Sequence, residues 1–200
     1  MNKKRTTTCA IFLVCLFLIS SIVNAAPQNS VNVEKIRNRL ETYVTITDAE
    51  TGEQISYPID SNVAQIYYNP VNSETTVVYE NIGKPIQTRD QSQSNSNTFY
   101  GWKGNVRITW YQDDTWARLT SAGGDWTRVS GSYTMSEKTI DYGQYLGTNS
   151  RNGSASFINS YNIGLNWPNG KYGDGHFLGA NINGKVNGQY VNITCNYTLF

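Results

Sequence analysis

Two short segments carry the most suggestive chemistry of the chain. Trp116-Ala117-Arg118-Leu119-Thr120 returns ten residues later as Trp126-Thr127-Arg128-Val129-Ser130. Side chains alternate along an extended chain, so the Trp and Arg of each copy share one face. Leu119 and Val129 take the opposite face and are expected to point into a core. If the two segments are paired strands, two indoles and two guanidinium groups lie side by side. Such a platform stacks on a sugar or an aromatic group and grips anions with forked hydrogen bonds. The same residues also suit a core filled by Trp116 and Trp126, with the arginine stems packed across them. The pattern alone leaves both readings open.

Four further aromatics, Tyr142, Tyr145, Trp167 and Tyr172, fall in Gly/Asn-rich stretches expected to be loops. Aromatic loop residues on a rigid β scaffold are a frequent recognition device. They also cover hairpin ends, as Trp167 would in Trp167-Pro168-Asn169-Gly170. The binding candidates are therefore Trp116, Arg118, Trp126, Arg128, Tyr142, Tyr145, Trp167 and Tyr172.

Catalytic patterns are sparse. There is no zinc-protease helix motif, no nucleophile elbow, no phosphate-binding glycine loop and no cysteine pair outside the N-terminal region. Cys195 and the single histidine, His176, suggest a thiol and its base. Cys195 lies on the apolar parity of its segment, however, where a cysteine behaves as a small hydrophobe. Asp113, Asp114, Asp125, Asp141 and Asp174 could supply a carboxylate pair for glycoside hydrolysis, although Asp is also a favoured turn residue. The Asp48–Glu53 turn holds three acids but lacks calcium-ligand spacing. No cofactor or metal is expected.

These residues need a scaffold, and the alternation of apolar and polar residues supplies one. Val106, Ile108 and Trp110 alternate with Arg107, Thr109 and Tyr111. Val191, Ile193, Cys195, Tyr197 and Leu199 alternate with Asn192, Thr194, Asn196 and Thr198. One apolar and one polar face mark a sheet packed on one side. Asp113-Asp114, Gly123-Gly124 and four Asn-Gly pairs, beginning at Asn152, Asn169, Asn183 and Asn187, read as turns. A short helix is expected around Val33, Ile36 and Leu40. A hairpin should follow, with strands around Tyr43–Thr47 and Gln54–Ile59, and a further strand at Thr75–Tyr79. The fold expected is all-β, an antiparallel β-sandwich or, alternatively, a small β-barrel, with a short β-rich N-terminal segment.

Composition shifts near residue 90. Residues 27–90 hold nine acids, five bases and no Trp, whereas 91–200 hold all five Trp and 15 of the 17 Gly. The organisation expected is a signal peptide over 1–25, an acidic β-rich segment over 26–86, a polar linker or long loop over 87–98, and a Trp/Tyr/Gly-rich sandwich over 99–200. Lys3, Lys4 and Arg5, the apolar run from Ala10 to Val23, and Val23-Asn24-Ala25 form the pattern of a secretory leader. Its removal takes three of 16 basic residues and none of 15 acidic ones, leaving a net charge of −2 and Cys195 as the one cysteine. That balance argues against nucleic acid or an anionic membrane as a bulk electrostatic partner. The expectation is a secreted, non-catalytic binding module for a glycan, cell-wall or protein ligand, without stable membrane insertion. A secreted toxin or bacteriocin-like effector and a carboxylate-dependent polysaccharide hydrolase are the alternatives.

Overall fold

The computed structural model describes residues 30–84 and 98–200. The expected leader (1–25) and nearly all of the expected linker (87–98) lie outside the described residues. A short helix, α1 (Ser30–Arg37), precedes twelve strands: β1 (Leu40–Asp48), β2 (Gln54–Pro58), β3 (Gln65–Asn69), β4 (Glu74–Ile82), β5 (Trp102–Gln112), β6 (Trp116–Arg128), β7 (Ser136–Tyr145), β8 (Arg151–Ser156), β9 (Ser160–Gly164), β10 (Gly170–Lys171), β11 (His176–Val186) and β12 (Gln189–Leu199). One sheet has the order β2-β1-β12-β11-β7-β8. The other runs β10-β6-β5-β4-β3, with β9 also paired to β6. All pairings are antiparallel, and the sheets form an open β-sandwich that does not close into a barrel.

Strands from both sides of the composition shift share both sheets. β1 pairs with β12 over nine residues, from Leu40↔Tyr197 to Asp48↔Gln189. β4 pairs with β5 from Glu74↔Tyr111 onward. The change in acidity near residue 90 therefore does not divide the sheets.

The core lies between the inner faces. Val44, Ile140, Ile182, Ile193 and Leu199 come from the first sheet, and Val77, Ile108, Trp110 and Leu119 from the second. Trp110 stacks on Tyr197 across the interface at 4.3 Å between ring centroids. Inward-facing glycines let bulky side chains cross between the sheets. A Cβ on Gly104 would meet the Ile193 Cδ1 at 2.3 Å, and one on Gly124 the Ile182 Cγ2 at 2.4 Å. Both glycines thus leave room for side chains of the facing sheet, consistent with close packing of interiors.

Several expected turns are strand interior instead. Gly123-Gly124 lies in the middle of β6, paired to β5 and β9. The residues on either side of it, from Trp116 to Arg128, are consequently one strand. Asn183-Gly184 sits within β11 and Asn152-Gly153 within β8. Asn169-Gly170 leads into β10. Asn187-Gly188 is the tight hairpin turn: its φ angles, 48° and 73°, are both positive, as a two-residue primed turn demands. Asp113 also behaves as expected, its Oδ1 accepting the N–H groups of Thr115 and Trp116 at 2.9 and 2.7 Å.

Candidate functional site

The Trp-x-Arg repeat does not form a platform. The Trp and Arg of both copies lie on β6, so the copies cannot pair with each other. A β-bulge separates them. Trp110 pairs with Leu119 but Thr109 pairs with Ser121, which leaves Thr120 as the extra residue. A bulge shifts alternation by one residue. Before it, Ala117 and Leu119 face the core; after it, Ala122 and Trp126 do. Trp116 consequently stays 41 % exposed, whereas Trp126 is buried at 3 %. The Trp126 indole Nε1 donates to the Asn183 carbonyl at 2.9 Å. Arg128 is exposed at the far end of the strand and donates to the Gly131 carbonyl. Val129, expected in the core, is 48 % exposed beyond the strand.

The loop aromatics divide similarly. Tyr142 is a strand residue on the inner face of β7, where it stacks between Tyr161 and Trp167 at 6.2 and 5.8 Å. All three rings are partly buried against the core. A hydrogen bond with Tyr161, then desolvation, push the Tyr142 hydroxyl up to about 12, so it stays protonated. Tyr172 closes the β5–β6 hairpin, its hydroxyl donating to the Asp113 carbonyl at 2.6 Å and accepting from the Gln112 amide at 3.1 Å. Tyr145 lies on the outer face of the first sheet, stacked on Phe177 at 4.5 Å.

Cys195 and His176 do not come together as a thiol and its base. Cys195 is fully buried, and desolvation raises its thiol to about 12. It pairs with Ala180, four residues along β11 from His176, a separation of roughly 13 Å. The His176 Nδ1 accepts the Gly173 N–H at 2.8 Å. Asp48, in the acidic turn, is held below the usual carboxylate range by the N–H groups of Thr51 and Glu50. Among the described residues, no three His, Cys, Asp or Glu side chains cluster to hold a metal.

The outer face of the second sheet does concentrate functional groups. Directly paired residues project to the same side of a sheet, so the register Val78↔Arg107↔Gly123↔Asn162 crosses this face on four strands. Gly123 contributes no side chain; a Cβ there would meet the Tyr161 carbonyl oxygen at 2.9 Å and the Asn162 Oδ1 at 3.0 Å. The result is a groove of about 300 Å³, walled by Glu80, Asn105, Arg107, Asp125 and Asn162 among others. Arg107 reaches over Gly123 and donates to the Asn162 Oδ1. Asn105 is set by the Asn81 N–H on its Oδ1 at 2.6 Å and by its own donation to the Asp125 Oδ2 at 2.8 Å. Thr127 donates to the same Asp125 oxygen at 2.9 Å. The polar groups are therefore oriented in advance.

Trp116 and Arg118 stand on this same face at the hairpin end. Arg118 pairs with Tyr111 and lies over its ring, 5.5 Å from the centroid. Tyr111 donates to the Asp113 Oδ2 at 2.5 Å. That bond and the N–H groups of Thr115 and Trp116 hold the Asp113 carboxyl below its usual range. Of the eight candidates, the fold brings Trp116 and Arg118 together on one exposed surface. Arg107, Asn105, Asn162 and Glu80 were not singled out from sequence. The polar parity of β5 held a signal for Arg107, but Gly123 resembled a turn, and only the pairing reveals it as the floor of a groove. Compared with protein-family models, curated proteins and solved structures, the chain matches none.

Proposed function

We propose that this protein is a secreted, non-catalytic module that binds a glycan along the outer face of its second sheet. The observation that carries the reading is the groove over Gly123, with Arg107, Asn105, Asn162 and Asp125 preset around it and Trp116 exposed on the same face. Planar amide, carboxylate and guanidinium groups give fixed donors and acceptors for sugar hydroxyls, and an exposed indole gives a stacking surface. Preset partners lower the ordering cost of binding. The basic start, apolar run and small residues of positions 1–25 support export.

Titration calorimetry against a panel of soluble neutral and acidic oligosaccharides tests this reading. At least one should bind, and Arg107→Ala and Trp116→Ala should each weaken it about tenfold while the unfolding midpoint is kept, since one good hydrogen bond or stacking contact is worth about 1.4 kcal/mol. Binding to none of the panel, or variants that bind like the parent, would refute it.

One observation favours a second reading. Glu80 and Asp125 line the same groove, and a carboxylate pair is the requirement for glycoside hydrolysis. Asn105 and Thr127 both donate to the Asp125 Oδ2 and hold it as a fixed acceptor, which suits binding better than proton transfer. Reducing-sugar release that disappears in Asp125→Asn and in Glu80→Gln would favour the hydrolase.

A further inference from the structure

The outward side of the first sheet has its own chemistry. Its register aligns Ser56, Thr45, Asn192, Asn183, Thr139 and Ser156 in one row across all six strands. The next row holds Pro58, Tyr43, Thr194, Asn181, Asp141 and Ser154. Apart from Pro58 and Tyr43 at the β1–β2 end, every member is a short hydroxyl, amide or carboxyl side chain, and Asp141 alone is charged. Six strands at about 4.8 Å make rows some 24 Å long, lying about 7 Å apart.

These side chains are already linked to one another. Thr45 and Ser56 share a hydrogen bond of 2.8 Å. Asn192 donates to the Asn183 Oδ1 at 2.5 Å, and Thr194 to the Asn192 Oδ1 at 2.7 Å. The Asn183 Nδ2 reaches Thr139 at 3.1 Å and Asp141 at 3.0 Å. Short, cross-linked side chains lose little rotamer entropy on contact. At the β1–β2 end the rows run into a hollow of about 400 Å³ that Tyr43, Ser56 and Pro58 help to line, with Glu41 as its one charged residue.

We infer that this face is a second binding surface and that its ligand is a neutral polysaccharide chain lying across the strands, with a sugar ring in the hollow beside Tyr43. The two rows carry no Lys or Arg, and Lys185, in the adjoining row, is engaged by Glu137 at 3.4 Å and by the Tyr190 hydroxyl at 3.1 Å, so the rows lack the free cations that phosphates need. They also have no apolar centre on which a protein interface would anchor. Alternating donors and acceptors on an almost uncharged plane match a ligand whose surface is hydroxyl groups, and the Tyr43 ring adds a stacking partner at the edge. This surface is separate from the groove over Gly123 and does not depend on it.

Co-sedimentation of the full chain with microcrystalline cellulose, chitin and starch granules tests the inference. At least one solid should retain the protein. The Thr45→Arg/Ser154→Arg double variant, which puts two cations into the rows, should weaken retention tenfold or more at an unchanged unfolding midpoint, and Trp116→Ala should retain it fully. Ser154→Arg alone, at an exposed edge position, takes the place of the double variant if that one fails to fold, with a loss of at least threefold expected. Retention by none of the three solids overturns the inference, as does undiminished retention of the Arg variants. Retention abolished by Trp116→Ala alone assigns the ligand to the second sheet instead. A dimer in solution that the Arg variants dissociate makes this face a self-interface and equally overturns it.

Discussion

The side-chain Oε1 of Gln144 accepts the backbone N–H of Leu119 at 3.0 Å, with both residues fully buried. Gln144 belongs to β7 of the first sheet and Leu119 to β6 of the second, so the bond ties the sheets together beside the Thr120 bulge. Its Nε2 donates to the carbonyls of Asn149 and Pro168 at 2.7 and 3.2 Å. One buried polar side chain thus satisfies the irregular backbone at the point where β6 exchanges its inward and outward faces.

Gln144→Leu should destabilise the protein by about 2–4 kcal/mol, because the fully buried Leu119 N–H and the two carbonyls lose their partner. Urea unfolding followed by Trp fluorescence measures this. Gln144→Glu keeps the acceptor but, when ionised, faces two carbonyls with a charge. Burial raises such a carboxyl, so its stability should be greatest at low pH and fall as pH rises through the raised value.

Trp126 and Trp116, equivalent in the repeat, should respond oppositely. Trp126→Ala empties a buried site and should cost about 3–5 kcal/mol. Trp116→Ala, on the surface, should cost less than about 1 kcal/mol. Equal costs would contradict the bulge-driven change of face.

Gly153 lies under the Tyr142 ring, and a Cβ there would stand 2.6 Å from two ring carbons and 2.7 Å from the hydroxyl oxygen. Gly153→Ala should displace Tyr142 from its stack with Trp167, alter the near-UV circular dichroism, and destabilise by about 1–3 kcal/mol. Tyr142→Phe should leave the stack in place.

Cys195 should be inert to thiol reagents until the protein unfolds. Its folded value is raised, so the stabilisation is fully present below the ordinary thiol range and is lost as pH rises from there toward about 12. At pH 10.5 the loss from this group is about 2 kcal/mol. Tyr79, pushed up to about 12 by burial, adds to the alkaline loss above its own ordinary range. Denaturant midpoints at pH 8 and 10.5 should show a smaller drop for Cys195→Ala than for the parent.

Much of the scaffold was legible because its signals are local. Alternation along β5 and β12 follows from the two-residue repeat of an extended chain, and each strand shows it without reference to a partner. The same is true of the Asp113 turn, where a side chain bonds N–H groups two and three residues on, and of Asn187-Gly188, whose positive φ angles suit those residue types. The remaining Asn-Gly pairs and Gly123-Gly124 carry the same local signal for a different reason. Gly153 makes room for Tyr142, Gly184 for Met135, and Gly123 for the β9 backbone. Those neighbours are distant in sequence, so the sequence alone cannot separate a turn glycine from a clearance glycine.

From the sequence by itself came the class of the protein: strands with one apolar face, a buried cysteine, and a scarcity of catalytic motifs. These depend on residue type and short-range periodicity, which survive without a partner. The tertiary structure alone decided which side each residue of the repeat faces. Pairing between β5 and β6 inserts Thr120 as an unmatched residue, and that single insertion sends Trp126 inward while Trp116 stays outside. Pairing of β1 with β12, more than a hundred residues apart, likewise helped to assemble the Asn/Thr rows, and the pairing of β5 with β6 set Arg107 over Gly123. Register is a property of two strands, and no one strand encodes it.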